Sequence, residues 1–362
     1  MTEGVGIEIG NGRIKIAAGA GGCLRARAYP VAARAGAPRG SDIAEAFPAA
    51  LAAFAAETGV DCGGAPAVVA FSSQFAYPSF QSALVETVAM LRRNGLGGAR
   101  LAGADRLYDL ATGEALAERP EGALWFAAAR MAGIRALARS QGAFTLAIDC
   151  GTTSTEIVPL AASAADWPNE GRLTDGRLVW IGLLETPIDY VAREAAGYAV
   201  VPRVARMAAV TGYLGLAGPA VAATAAERAT LAAELAQGVG LDAFILADDE
   251  IERIARSLRE SAVGQIAAAA LRVLARMGGT DRPSAAVLGI GKAALATPAL
   301  AACGIRDPVD LEAAIGVPPN FGAVAGLALL AADRGVDEPY AGDQTRAGDR
   351  HRLLAGRRRA RV

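Results

Sequence analysis

Two stretches far apart in this sequence repeat one pattern. Val5-Gly-Ile-Glu8-Ile-Gly10 and Leu146-Ala-Ile-Asp149-Cys-Gly151 each run as apolar strand, acidic residue, apolar residue, glycine, and each is followed by a second alternating run. Alternation with a period of two on both sides of a short turn predicts an antiparallel hairpin. In the first copy the turn is Asn11-Gly12, which favours the positive-φ pair of a two-residue loop. A strand-turn-strand unit that occurs twice predicts a duplicated domain, with the second copy marking the boundary. Length agrees: 362 residues suggest two domains at roughly 150 residues each. Hydrophobic residues are 53% and charged residues 20%, enough for sizeable cores and inconsistent with wholesale disorder.

Around the hairpins the periodicity changes. Ile43, Phe47, Leu51 and Phe54 stand at helical spacing and predict a helix over Asp42 to Thr58. Further helices are expected over Ser79 to Arg93, Ala123 to Ser140, Ala225 to Val239 and Asp249 to Met277, the last with Gly264 inside it. Strands are expected at Ala67 to Ser72, Arg177 to Leu184 and Ala285 to Ile290, which enters a Gly289-Ile-Gly291 turn. The uncharged stretch Met207 to Ala226 is long enough to span a membrane, but it is mostly Ala and Gly and contains Pro219. It is expected to be a buried helix and loop. From Val336 onward periodicity is lost. Residues 344–362 hold seven Arg against one Asp, and a disordered basic tail is expected over 336–362.

Composition excludes several chemistries. Formal net charge is -1, so no global field draws the chain to nucleic acid or an anionic membrane. The one histidine, His351, lies in the Arg-rich tail. A Ser-His-Asp triad, a Cys-His dyad within the fold and an HExxH zinc helix are therefore excluded. Proton transfer must use carboxylates, Lys, Tyr, Cys or bound water. Cys23, Cys62, Cys150 and Cys303 are scattered without a CxxC pair, so no disulfide framework is expected. With no signal-peptide pattern at the N-terminus, a cytoplasmic location is expected.

The sharpest local signal is Asp149-Cys150-Gly151-Thr152-Thr153-Ser154-Thr155-Glu156. Glycine lets backbone N–H groups approach a ligand, and three Thr and one Ser add hydroxyl donors suited to phosphate oxygens. An acidic residue at the end of the preceding strand can hold a Mg²⁺ water. Read structurally, the same run is a polar hairpin of good strand formers. Glu8, Gly10, Asn11, Gly12 and Lys15 form a weaker counterpart. Facing across a cleft, the two hairpins would place Glu8 and Asp149 on either side of one metal–phosphate group, with Lys15 either neutralising phosphate or facing solvent. Gly289-Ile-Gly291-Lys292 could abut a nucleotide or be a plain turn.

At LAIDCGTTSTEIVPL, followed by EGRLTDGRLVWIGLLETP, the chain resembles the hydantoinase/oxoprolinase-like proteins linked to tetrahydromethanopterin C1 transfer. Their best-understood members are similar to the methanofuran-pathway aminomethylfuran–tyramine ether synthase. Ser72 to Ala76, Arg106 to Asp109, the Trp125 helix, Leu241-Asp242, the Gln265 helix, the Gly289-Ile-Gly291 turn and Val309 to Gly316 also match the family pattern, so the likeness covers roughly residues 4–333.

The resemblance implies an α/β fold of two RNase H-like domains, actin and sugar-kinase-like, closing on a cleft. The first would span 1–143, rejoined by a helix over 318–335, and the second 144–317. It implies a Mg²⁺-dependent transferase that condenses an aminomethylfuran-methyl diphosphate with the phenol of tyramine or γ-glutamyltyramine and releases diphosphate. Asp149 and Glu8 would hold the metal. Gly10, Asn11, Lys15, Gly151, Thr152, Thr153, Ser154, Thr155, Gly289 and Gly291 would contact phosphate. Glu8, Glu156 or Glu185 would accept the phenolic proton.

Four positions depart from the pattern. Arg13 interrupts the first motif, the family's R-T-P is Glu185-Thr186-Pro187, an aspartate is Ala209 and an asparagine is Leu124. Two other readings therefore stay open beside the transferase. One is an ATP-dependent kinase-like or hydantoinase-like enzyme on the same fold. The other is a binding subunit without catalysis, working with a homologous subunit or as a homo-oligomer.

Overall fold

The fold was obtained as a computed structural model, and the structure describes residues 4–10, 12–20, 23–32, 39–71, 77–103, 106–113, 116, 126–160, 167, 171–216, 224–278 and 282–333. The strand expected to end at Ser72 is described to Phe71; Ser72 to Ala76, Leu124, Trp125 and the tail lie outside these residues.

Both predicted hairpins form. β1 (Val5–Ile9) pairs antiparallel with β2 (Arg13–Ala20), placing Glu8 opposite Lys15. β2 then pairs with β3 (Cys23–Pro30). After α1 (Arg39–Thr58), β4 (Ala67–Phe71) joins the far side of β1 in parallel. α2 (Phe80–Arg93) follows, started by a capping box in which Ser79 and Ser82 satisfy each other's free backbone N–H groups. β5 (Arg100–Ala102) lies parallel to β4, and β6 (Leu107–Asp109) closes the edge. The sheet order is β3-β2-β1-β4-β5-β6.

After α3 (Phe126–Gln141) the same construction returns. β7 (Leu146–Cys150) pairs antiparallel with β8 (Thr155–Pro159), placing Asp149 opposite Glu156. β8 pairs with β9 (Leu178–Val179). Next come α4 (Ile188–Val191), a small hairpin of β10 (Glu194–Ala195) and β11 (Tyr198–Ala199), α5 (Met207–Tyr213), α6 (Ala225–Gly238) and α7 (Asp248–Arg276). β12 (Ala285–Leu288) joins β7 in parallel. A π-helical turn (Lys292–Ala296) leads into α8 (Thr297–Ala302), and β13 (Val309–Asp310), α9 (Leu311–Ile315) and α10 (Gly322–Ala332) complete the described chain.

The second sheet is ordered β13-β12-β7-β8-β9. Counted within each half, both sheets have the order third, second, first, fourth, fifth. The first three strands are antiparallel, and the fourth and fifth run parallel to the first. This is the RNase H-like order, present twice, as in actin and sugar-kinase-like proteins.

Two helices lie between the sheets. α10 packs on β1, β2 and β4 of the first sheet, while Met131, Ile134, Leu137 and Ala138 of α3 pack against Ala147, Val158 and Ala286 of the second. α10 (GAVAGLALLAA) is apolar all round, as a helix enclosed on every side must be. α3 and α10 cross where glycine meets glycine. A Cβ on Gly326 would stand 1.8 Å from the Gly133 carbonyl oxygen, and one on Gly133 would stand 2.0 Å from that of Ala323. The outer face of the first sheet is covered by α1 and α2 through Ile43, Phe47, Phe54, Leu84 and Leu91. That of the second is covered chiefly by α7 through Ile254, Leu258 and Ile266. Among the described residues, no helix is long and apolar enough to cross a membrane.

One expected strand is much shorter than its sequence suggests. Arg177 to Leu184 is almost wholly apolar and predicts a strand, yet only Leu178–Val179 joins the sheet. Beyond it the amides of Leu183, Leu184 and Glu185 turn to the carbonyls of Gly151 and Thr152 at the tip of the β7–β8 hairpin. The segment spends its hydrogen bonds on the turn.

The glycine crossing yields a paired prediction. Gly326→Ala forces α3 and α10 apart and should cost roughly 1–3 kcal/mol. Gly264→Ala lies on an exposed face of α7 with nothing within 4 Å of its new Cβ, and should gain up to about 1 kcal/mol. Urea unfolding of both variants checks this; equal effects would remove the crossing as a constraint.

Candidate functional site

The strand ends that carry Glu8 and Asp149 meet at one side chain. Arg130, near the start of α3, donates from Nη2 to Asp149 Oδ2 at 2.5 Å and places Nε 3.6 Å from Glu8 Oε1. Glu8 Oε2 receives Lys15 Nζ at 3.3 Å, and Lys15 also donates to Asn320 Oδ1 at 3.2 Å, at the entry to α10. The duplication thus becomes a charge pattern. Glu8 and Asp149 occupy equivalent positions in the two hairpins, Lys15 faces the first across its strand pair, and Glu156 faces the second.

Glu8, Lys15, Asp149 and Glu156 are buried and the Arg130 side chain is only 13% exposed, so their charges are set by one another. Burial alone would raise the Glu8 pKa, but Arg130 and Lys15 outweigh it and hold Glu8 below its ordinary value. Burial alone would lower Arg130; Asp149 and Glu8 overcome this and hold it above its ordinary value. Glu156 goes the other way. Burial raises it; Arg130 and the hydrogen bond from Ser154 Oγ at 3.0 Å only partly offset this, Asp149 adds to it, and the result is a pKa pushed up to about 7. Two buried carboxylate oxygens, Asp149 Oδ1 and Glu156 Oε2, have no hydrogen-bond partner.

The tip of the second hairpin is built asymmetrically. The carbonyls of Gly151 and Thr152 accept from Leu183, Leu184 and Glu185, and that of Thr153 from the Thr186 hydroxyl at 3.3 Å. Among the described residues nothing accepts from the amides of Thr152 and Thr153. The Thr152 and Thr153 hydroxyls sit at the surface, 3.4 Å apart. Arg130 Nη1 lies 3.9 Å from where a Cβ on Gly151 would stand. Unpartnered amides, hydroxyls and a guanidinium nitrogen at one strand end are donors of the kind that suit an anion.

The other expected residues fall in different places. Thr155 is fully buried and its hydroxyl donates to the Ile181 carbonyl at 2.6 Å. Gly10 closes the first hairpin by donating to Arg13 O; Asn11 lies outside the described residues. Glu185 has a 52% exposed side chain paired with Arg206. Ala209 is buried in α5. Gly289 and Gly291 are accounted for by packing: a Cβ on either would stand 2.3 Å from Cys150, at its carbonyl oxygen and its Sγ. The Gly289 turn is tied down by Glu312, which accepts from Gly289 N at 3.1 Å, Gly322 N at 2.9 Å and Lys292 Nζ at 2.9 Å.

Arg130, Asn320 and Glu312 were not anticipated. For Arg130 a signal existed. It stands four residues before Ile134 and seven before Leu137, heading the stripe that α3 buries, where the pattern calls for an apolar side chain.

A resident Mg²⁺ needs free carboxylate oxygens at about 2.0–2.1 Å. Glu8 Oε1 and Asp149 Oδ2 are instead turned to Arg130, and Glu8 Oε2 to Lys15. Among the described residues no group of three or more metal-ligating side chains occurs. Asp149 Oδ1 alone of the four oxygens is unpartnered, and it is buried against Gly289, where an added Cβ would stand 2.5 Å from it; as arranged, the Glu8–Asp149 pair offers one free oxygen and does not fit the ion.

The sequence matches no family model and no curated protein. By shape it is similar to several solved structures. Component A of (R)-2-hydroxyglutaryl-CoA dehydratase from Acidaminococcus fermentans is 10% identical, with 92% of this chain and 99% of that chain covered and a TM-score of 0.45. The inorganic polyphosphate/ATP-glucomannokinase from Arthrobacter sp. strain KM is 16% identical, covering 92% and 99%, with a TM-score of 0.40. A hexokinase is 13% identical, covering 91% and 85%, with a TM-score of 0.46. The fold assignment rests on the sheet order.

The Glu156 environment gives a pH prediction. Its folded pKa lies above the ordinary carboxylate value, so its contribution to stability is present at low pH and is lost as pH rises through about 7. Glu156→Gln mimics the protonated form. It should be about as stable as wild type at pH 4.5, and more stable by roughly 1–3 kcal/mol at pH 8.5. Urea unfolding at both pH values tests this; a difference independent of pH would contradict it.

Proposed function

We propose that this chain binds a phosphate-bearing small molecule at the tip of the second hairpin and transfers a group from it. The observation that supports this most directly is the unpartnered Thr152 and Thr153 amides beside the Arg130 guanidinium. Together they offer fixed donors to an anion without reorganisation. The fold agrees with such chemistry but does not assign it.

In its finer form the reading is the ether-forming transferase implied by the sequence resemblance. Diphosphate would leave from an aminomethylfuran-methyl group as the phenol of tyramine or γ-glutamyltyramine attacks. Arg130 and the hairpin amides would take up charge on the departing diphosphate. Glu156, titrating near neutrality, is better suited than the surface-paired Glu185 to accept the phenolic proton.

One observation favours a second reading, in which the chain holds its ligand without turning it over. Arg130 and Lys15 already neutralise the acid pair that metal-assisted chemistry would use. ATP remains the nucleotide to try under a kinase-like reading.

The test is to incubate the purified full-length chain with the diphosphate and either phenolic amine, following product mass and diphosphate release. Ether formation should fall by roughly 100-fold in Asp149→Ala that still folds by circular dichroism. Ligand binding without product would select the holding role. No binding of diphosphate or ATP would remove the proposal.

A further inference from the structure

We infer that Arg130 is the resident cation of this site, its guanidinium taking the place of a divalent ion between Glu8 and Asp149 while Nη1 is the contact for a ligand phosphate. The phosphate half rests on the function proposed above; the cation half does not.

Three observations carry it. The first is position. One side chain reaches carboxylates from two sheets, Asp149 through Nη2 and Glu8 beside Nε, which is the bridging role of a metal between two acidic ligands. The second is fixation. Arg130 lies one turn ahead of Gly133, where α3 and α10 pass backbone against backbone, so the helix cannot slide to withdraw it. Its side chain is only 13% exposed, and Asp149 and Glu8 raise its pKa despite burial. The third is orientation. With Nη2 and Nε turned to the acids, Nη1 is left beside Gly151 with no acceptor among the described residues. A guanidinium can present separate N–H edges to different oxygens, so holding a carboxylate on one edge leaves another for phosphate.

The two halves are tested separately on the full-length chain. Manganese binding, followed by the electron paramagnetic resonance of free Mn²⁺, addresses the cation. Wild type and Arg130→Lys should bind no Mn²⁺ at millimolar concentration, whereas Arg130→Gln should gain a site that is lost again in Arg130→Gln/Asp149→Asn. Mn²⁺ bound by wild type and lost in Asp149→Asn would overturn the proposal. So would a folded Arg130→Gln that gains no site. Should Arg130→Gln fail to fold, the wild-type and Asp149→Asn measurements still decide.

Calorimetric titration with inorganic pyrophosphate addresses the anion. Wild type should bind it equally with Mg²⁺ or EDTA, and Arg130→Gln should bind at least tenfold more weakly in EDTA and recover in Mg²⁺. Binding by wild type that requires Mg²⁺ would overturn the inference. No pyrophosphate binding by any form would refute the phosphate contact and the function it rests on, leaving the Mn²⁺ result to stand or fall alone.

Discussion

Burying Arg130 between Glu8 and Asp149 is the arrangement on which the centre of this molecule depends. Each charge taken out of water costs several kcal/mol unless its partner is placed to return it, and removing one member of such a set typically costs roughly 3–5 kcal/mol. Here the members come from three elements: β1, α3 and β7. None could be buried alone. The charge is also not symmetric. Lys15 answers Glu8 in the first hairpin, but the equivalent residue in the second is another acid, Glu156, so Arg130 must serve both sides. The excess of acid is relieved by a proton, which is the physical content of a Glu156 that titrates near neutrality.

What puts Arg130 there is packing. The two sheets are separated by α3 and α10, and these approach closely enough only because Gly133 and Gly326 have no side chains where they cross. That contact sets the height of α3 between the sheets, and Arg130 is one turn away. α10 contributes from its other end, where Asn320 stands just before the helix and accepts from Lys15. The glycine crossing therefore locates Arg130, while Lys15 is set by the β1–β2 register and held by Asn320 at the head of the other crossing helix. Two features that look unrelated in sequence, small residues in apolar helices and isolated basic residues nearby, are parts of one construction.

The sequence showed this unevenly. The hairpins were legible because β1 and β7 are buried on both faces and their turns carry glycine, and their repetition pointed to the duplicated sheet order. Long helices were legible from their apolar stripes. β3 was not, although Leu24-Arg25-Ala26-Arg27-Ala28 alternates, because its inward face is carried mostly by small alanines and as an edge strand it buries little beyond Ala26. The 177–184 segment misled in the opposite way: its apolar run reads as a buried strand, but the amides at its far end bond a turn, and apolarity does not say where hydrogen bonds go. At the candidate site the acids and hydroxyls could be named from local pattern. Arg130 could not, since its partners lie 122 and 19 residues away and only its misplaced charge on an apolar stripe marked it. Gly289 and Gly291 show the converse. Their spacing suggested a ligand, while the space they leave is filled by Cys150.

Exchanging a metal for a guanidinium changes what the site can do. Mg²⁺ brings two positive charges and exchangeable positions that can follow oxygens as bonds break. A guanidinium brings one charge, in a plane fixed by its hydrogen bonds, and cannot leave. It can still stabilise charge on a departing anion, but only from that fixed plane and with one charge rather than two. Proton movement must then come from a group whose state changes along the way. Among the buried residues around Arg130, Glu156 is suited to that role: a carboxylate that titrates near neutrality can take a proton as the reaction proceeds, and the negative charge it then loses leaves Arg130 and Arg172 less neutralised. The chemistry open to this cleft is thus bounded by one residue on α3. Under the proposed function, Arg130 would hold the anion and the proton balance at Glu156 would be what turns holding into transfer.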